Sequence, residues 1–196
     1  MTLIHRTWMD LKPNENMEGN PEVFNDYYAR MSTRFEYENI PKEVFKQWIY
    51  PHHGNPRTLN NYSWIDYESV EFELVEWDYE LLKDLYVIEK YRTLTDLRGN
   101  YNDFNDFCCI EKDLKYWKEK GTWRTPSIIL DVRSLNENYP EWSELHGYYQ
   151  LVEGHSRFGY LNSMKRICDI GKGNITEKHK IYLMKNVRMY SKSLIS

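Results

Sequence analysis

The chain has 196 residues, 41% hydrophobic and 29% charged, with a net charge of −4; that is enough to bury a full core as one domain with an extension or as two small domains. No apolar run is long enough to span a bilayer, the first residues lack the apolar core of a secretory signal, and three cysteines, Cys108, Cys109 and Cys168, make neither a disulfide framework nor a spaced metal set. The expectation is a cytoplasmic protein with no membrane partner and no bound metal of its own.

Alanine occurs once, at Ala29, while Asn, Lys, Tyr and Ile abound, a bias that an AT-rich coding genome of bacterial or phage origin would give. Charge is unevenly spread. Residues 66–89 hold nine acidic residues against Lys83, and residues 154–196 hold nine Lys and Arg against Asp169 and Glu177. Either the two stretches meet opposite partners, the basic one suiting nucleic acid, or they lie together and neutralise.

Residues 1–50 are rich in aromatics without a strong period. The clearest element there is a short helix from Ile40, with Pro41 at its first turn, a stripe of Val44, Phe45, Trp48 and Ile49, and an end expected at Pro51. Residues 51–62, PHHGNPRTLNNY, read as a loop and a boundary. Its His52 and His53, with His5, are read as solvent-exposed rather than metal-binding.

Val70 to Trp77 alternates apolar and acidic residues, as a strand with one wet face does. A helix is expected from Tyr79 to Lys90, then a turn-rich loop at Arg98 to Asp103. Ile110, Leu114 and Trp117 give the period of a second helix, which Gly121 is placed to end. Pro126 leads a nearly continuous apolar run to Val132, the pattern of a strand covered on both faces. After a polar stretch from Asn136 to Gly147, Tyr149, Leu151 and Val152 form another buried strand, Gly154 a turn, and a helix starting near Ser156 presents Phe158, Leu161, Met164 and Ile167 to a core. The last pattern, His179 to Val187, fits a strand or a short helix. Gly171-Lys172-Gly173 lacks the rest of a phosphate-loop signature.

The turn at Gly154 is where the chain speaks of chemistry. A strand that breaks at glycine into a helix gathers backbone N–H groups and the positive end of a helix dipole at one point, which suits an anion. Arg157 adds a planar cation able to hold two phosphate oxygens. Gly154 serves as backbone pivot and phosphate contact, Ser156 as helix N-cap, and His155 as a donor to phosphate or a partner within the turn. Glu153 would hold Arg157, orient a magnesium-bound water, or act as a base.

The series of helix (Glu111 to Lys120), glycine (Gly121), proline-led strand (Pro126 to Leu130), second strand and Glu153-Gly154-His155-Ser156-Arg157 resembles the core of the ParB/sulfiredoxin superfamily, over about Cys109 to Ile170. The resemblance implies an α+β fold with a small mixed sheet flanked by helices over residues 68–196, preceded by a partly helical, aromatic-rich extension over residues 1–67. It also implies that Gly154, His155, Ser156 and Arg157 bind a nucleotide, ATP or CTP, with Mg2+ as a companion ion. If the protein is catalytic, Glu153 and His155 are the candidate catalytic residues of a nucleoside-triphosphate hydrolase or small-molecule kinase. The motif is closest to that of the free-serine kinases. Sulfiredoxins carry a catalytic cysteine where this chain has His155, and its three cysteines lie outside the motif, so sulfinic-acid reduction is disfavoured. A segment after the first strand approaches the nucleotide in that family; Glu89, Arg92 and Arg98 are the nearest candidates here, matching no motif spacing, and the alternative for each is an ordinary surface charge. The alternative is a non-catalytic nucleic-acid-binding or protein-interaction module.

Overall fold

The computed structural model describes residues 4–135 and 139–187; the end of the basic stretch, with Arg188 and Lys192, lies outside the described residues. The fold is α+β. In chain order the helices are α1 (Arg6–Asp10), α2 (Phe24–Met31), α3 (Lys42–Val44), α4 (Tyr50–His52), α5 (Pro56–Tyr62), α6 (Tyr79–Leu82), α7 (Glu89–Gly99), α8 (Glu111–Lys120) and α9 (His155–Asp169). The strands are β1 (Val70–Trp77), β2 (Ser127–Asp131), β3 (Tyr149–Glu153) and β4 (His179–Asn186), in one sheet of order β1-β4-β2-β3. Among the described residues no helix is long and apolar enough to cross a membrane. The chain forms two compact units: residues 1–72, 132–145 and 184–196 make the first, and residues 73–131 and 146–183 the second, with the division falling within β1 and β4.

The first unit is built on aromatics. Trp8 stacks on His53 (ring centroids 4.9 Å apart) and tilts against Trp48 and Tyr67 at 5.9 and 5.1 Å. The predicted stripe of Val44, Phe45, Trp48 and Ile49 is buried in full, each large side chain contributing ~1.5–3 kcal/mol. The helix does not stop at Pro51. A π-helical segment, Phe45–Ile49, joins α3 to α4, and Pro51 lies inside α4; proline donates no hydrogen bond, and the wider π turn before it changes which carbonyls seek a donor. The expected loop at residues 51–62 is mostly helix, with only His53, Gly54 and Asn55 between α4 and α5. Asn55 accepts from the amides of Arg57 and Thr58, and Pro56 opens α5 from the one position where its missing N–H costs nothing. Exposure was expected for both loop histidines, but His53 is buried and donates from Nε2 to the Trp8 carbonyl at 2.7 Å.

In the second unit β2 and β3 pair antiparallel, with Ile129 opposite Leu151 and Asp131 opposite Tyr149. The register slips between Ile128 and Ile129, because Ile128 faces Glu153, so Val152 is an extra residue two positions before Gly154. Phe158, Leu161, Met164 and Ile167 of α9 reach a core shared with Trp117, Trp123, Ile129 and Ile181. Gly121 ends α8 in a left-handed conformation, φ 62°. Ile110 is not on the buried stripe of α8; it is an exposed cap residue. The helix expected from Tyr79 to Lys90 is split between α6 and the start of α7, and the turn expected at Arg98 begins only at Asn100, since Arg98 and Gly99 lie inside α7. The final pattern is the strand β4.

α7 packs along α9. A Cβ on Gly159 would lie 2.7 Å from both Arg98 Cβ and the Thr95 carbonyl oxygen, so the two helices approach at a distance only glycine allows.

Candidate functional site

Gly154 sits between β3 and α9 with φ 106°, a conformation that favours glycine. Space imposes the same choice. A Cβ there would collide with Ser127 Oγ on β2, stand 2.8 Å from Ser127 Cβ, and meet the Arg157 guanidinium at 2.9 Å. Gly154 is the N-cap of α9 and no side chain caps the helix. Ser156, expected as that cap, is instead the second helical residue, one turn ahead of Gly159. The Phe158 amide closes the first turn onto the Gly154 carbonyl at 2.8 Å.

Ser156 and Arg157 line a cavity of about 180 Å3 together with Tyr160, one turn further along α9. α8 contributes Asp113 and Trp117, the segment before β2 contributes Trp123, Arg124 and Thr125, and Cys108 and Cys109 complete the wall. Arg124 donates from Nε to Asp113 Oδ1 at 2.6 Å. Burial pushes the Arg157 pKa below its ordinary value, while the carboxylates of Glu153 and Asp113 push it back up; an arginine remains a cation through such opposing effects. With two guanidinium groups, one carboxylate and a helix N-terminus, the cavity is net positive.

Tyr160 marks the same cavity independently. It is 2% exposed, and among the described residues its hydroxyl has no hydrogen-bond partner. The ring is fixed by stacking on Phe107 at 4.5 Å and by the Arg98 guanidinium 5.4 Å from its centroid. Burial raises its pKa, so the phenol stays neutral and keeps a proton to donate. A buried hydroxyl with no protein partner costs ~1–3 kcal/mol unless water or a ligand takes it up.

The predicted residues therefore separate. Ser156 and Arg157 enter the cavity and Gly154 shapes it, whereas Glu153 and His155 are not among its lining residues. Glu153 closes β3 opposite Ile128 and acts on Arg157 through its charge. His155 is buried with its ring 4.2 Å from that of Tyr91 on α7. Arg92 pairs with Glu89 on the surface of α7, and Arg98, which is not among the lining residues of the cavity, braces Tyr160. Asp113, Arg124 and Tyr160 had no role in the sequence pattern. The available signals were Tyr160 at helical spacing from Arg157, and a cation placed between Gly121 and Pro126. The adjacent thiols lie outside the motif in sequence yet reach its cavity in space. Burial pushes the Cys109 thiol up, with Asp113 adding to it, which opposes thiolate formation at neutral pH. Among the described residues no three His, Cys, Asp or Glu side chains gather as a metal-holding group.

No protein-family model matches the chain, and no curated protein or solved structure matches it either.

Proposed function

We propose that the second unit binds the phosphate of a nucleotide at the start of α9. One observation carries the reading: Arg157 and Ser156, in the first turn of a helix without a side-chain cap, share a cavity with Arg124 and with the unpartnered Tyr160 hydroxyl. Arg157 and Arg124 supply charge and Tyr160 a neutral donor, a set that fits an oxyanion with several lone pairs. The order α8, Gly121, β2, β3, Gly154, α9 supports the finer reading of a ParB/sulfiredoxin-like nucleotide site, for which ATP or CTP is the ligand. Mg2+ fits here as an ion carried by the phosphates, with Asp113 the one carboxylate in the cavity, since Mg2+ is commonly held by one or two carboxylates plus substrate oxygens.

Binding is the core of this proposal. Hydrolysis or phosphoryl transfer would need a base at the phosphate, and Glu153 and His155 do not line the cavity. A thermal-shift panel of ATP, ADP, CTP and GTP, with and without Mg2+, tests it. A ligand at 100 times its Kd adds roughly 2.7 kcal/mol to the folded state, which for a chain of this length raises Tm by about 5–10 °C. An unchanged Tm across the panel at millimolar ligand contradicts the proposal.

A further inference from the structure

A second cavity, of about 260 Å3, lies in the same unit, and Trp123 and Arg124 line both. Its other walls carry Lys120 from the last turn of α8, Lys178 and Lys180 at the start of β4, and Tyr116, with Glu76 as the one acidic side chain among the lining residues. Lys178 is held by Asp78 at 3.3 Å. Lys120 and Lys180 are exposed and have no ion pair among the described residues. The first cavity alone is smaller than the roughly 300–1,000 Å3 of sites that enclose a drug-sized ligand. It has room for a phosphate group but not for a nucleotide. The two cavities taken together fall inside that range, and they share Trp123 and Arg124 as lining residues.

We infer that the ligand is a polyphosphate chain spanning both cavities, with one terminal phosphate on Arg157 and Ser156 and the remaining charges on Lys120 and Lys180, Arg124 standing between. This inference rests on the phosphate site proposed above and extends it to a second, cationic subsite. Several charges spread along the ligand match several separate cations better than one concentrated anion does, because each ammonium acts only over a short distance in salt. A nucleoside triphosphate and inorganic polyphosphate share this chemistry.

The test is titration calorimetry with inorganic phosphate, pyrophosphate, tripolyphosphate, ATP and CTP. It uses the full chain, the double variant Lys120→Gln/Lys180→Gln, and a control of equal charge change at exposed lysines elsewhere, Lys46→Gln/Lys90→Gln. All four lysines are exposed, so each variant is expected to fold. Parent affinity is expected to climb with chain length. Lys120→Gln/Lys180→Gln is expected to weaken tripolyphosphate about tenfold, the effect of losing charge-assisted contacts, while phosphate stays within about twofold and the control within about twofold of the parent. Tighter binding of ATP or CTP than of tripolyphosphate identifies the nucleoside triphosphate as the ligand; equal binding identifies the bare chain. Tripolyphosphate binding that is unaffected in Lys120→Gln/Lys180→Gln, or equally weakened in the control, overturns the second subsite and leaves the first in place. Failure of the parent to bind any of the five overturns both.

Discussion

Gly154 answers to two constraints at one position, a left-handed backbone and the lack of room beside Ser127 and Arg157. Gly154→Ala should therefore lose roughly 2 kcal/mol or more, the left-handed strain and the steric conflict acting together; a denaturation midpoint equal to the parent's would contradict this. His179 carries a different kind of strain. It is fully buried, bonded through Nδ1 to Thr122 Oγ1 at 2.9 Å, and burial lowers its pKa from 6.5 to about 4, with Asp78 opposing. Between those two values the unfolded chain binds a proton that the folded chain refuses. Stability from this group is thus complete above about pH 6.5 and is lost as pH falls toward 4, at up to ~1.4 kcal/mol per pH unit. Denaturation at pH 7 and pH 5 should show a smaller difference in His179→Gln than in the parent. His53, whose pKa burial also lowers, supplies part of the acid sensitivity that remains.

Helices α7 and α9 test packing. Gly159→Ala would push a methyl into Arg98 and Thr95, and a loss of about 1–3 kcal/mol is expected from overpacking. The helix propensity of alanine works in the other direction by about 1 kcal/mol, so a gain in stability would show that α7 moves aside freely. Ser156→Ala separates capping from binding. Since Gly154 occupies the cap position, stability should change by less than about 0.5 kcal/mol, while phosphate binding weakens through the lost hydroxyl. The elements that could be read in the sequence were those whose pattern agrees with their burial, the apolar β2 and the run from β3 through Gly154 into α9, while α8 was legible from Trp117 and the Gly121 stop but not from the exposed Ile110. Those that were misread are set by context. Asn55 and Pro56 resemble loop residues until their side chain and ring are seen to open α5, and Tyr79 to Lys90 looks continuous because its break, at the Tyr86 bridge to Gln150, is made by a strand distant in sequence.

Over the whole molecule the acidic and basic stretches partly neutralise by direct pairing, Asp78 with Lys178 and Glu71 with Lys185. Binding to single-stranded DNA is accordingly expected to be weak, with a small salt slope; affinity that falls a thousandfold between about 50 and 200 mM salt would instead indicate many phosphate contacts. The candidate site shows where sequence reading ends. Arg157 and its glycine are legible because they are local, four residues making one turn. Asp113, Arg124, Tyr160 and the two thiols come from separate segments, and nothing in their own spacing says that they share a cavity. Conversely Glu153 and His155 belong to the motif in sequence but do not line that cavity, since Glu153 closes β3 opposite Ile128 and His155 packs on Tyr91.

The proposed phosphate site stands or falls on the shape of one side chain. Calorimetric titration of folded Arg157→Lys against the parent, with the tightest-binding nucleotide, keeps the charge and removes the two-pronged donor. A loss of about ten- to a hundredfold in affinity is expected, the worth of one charge-assisted hydrogen bond at roughly 1.5–3 kcal/mol. Equal affinity in parent and Arg157→Lys would contradict the site and leave Arg157 as a structural partner of Glu153.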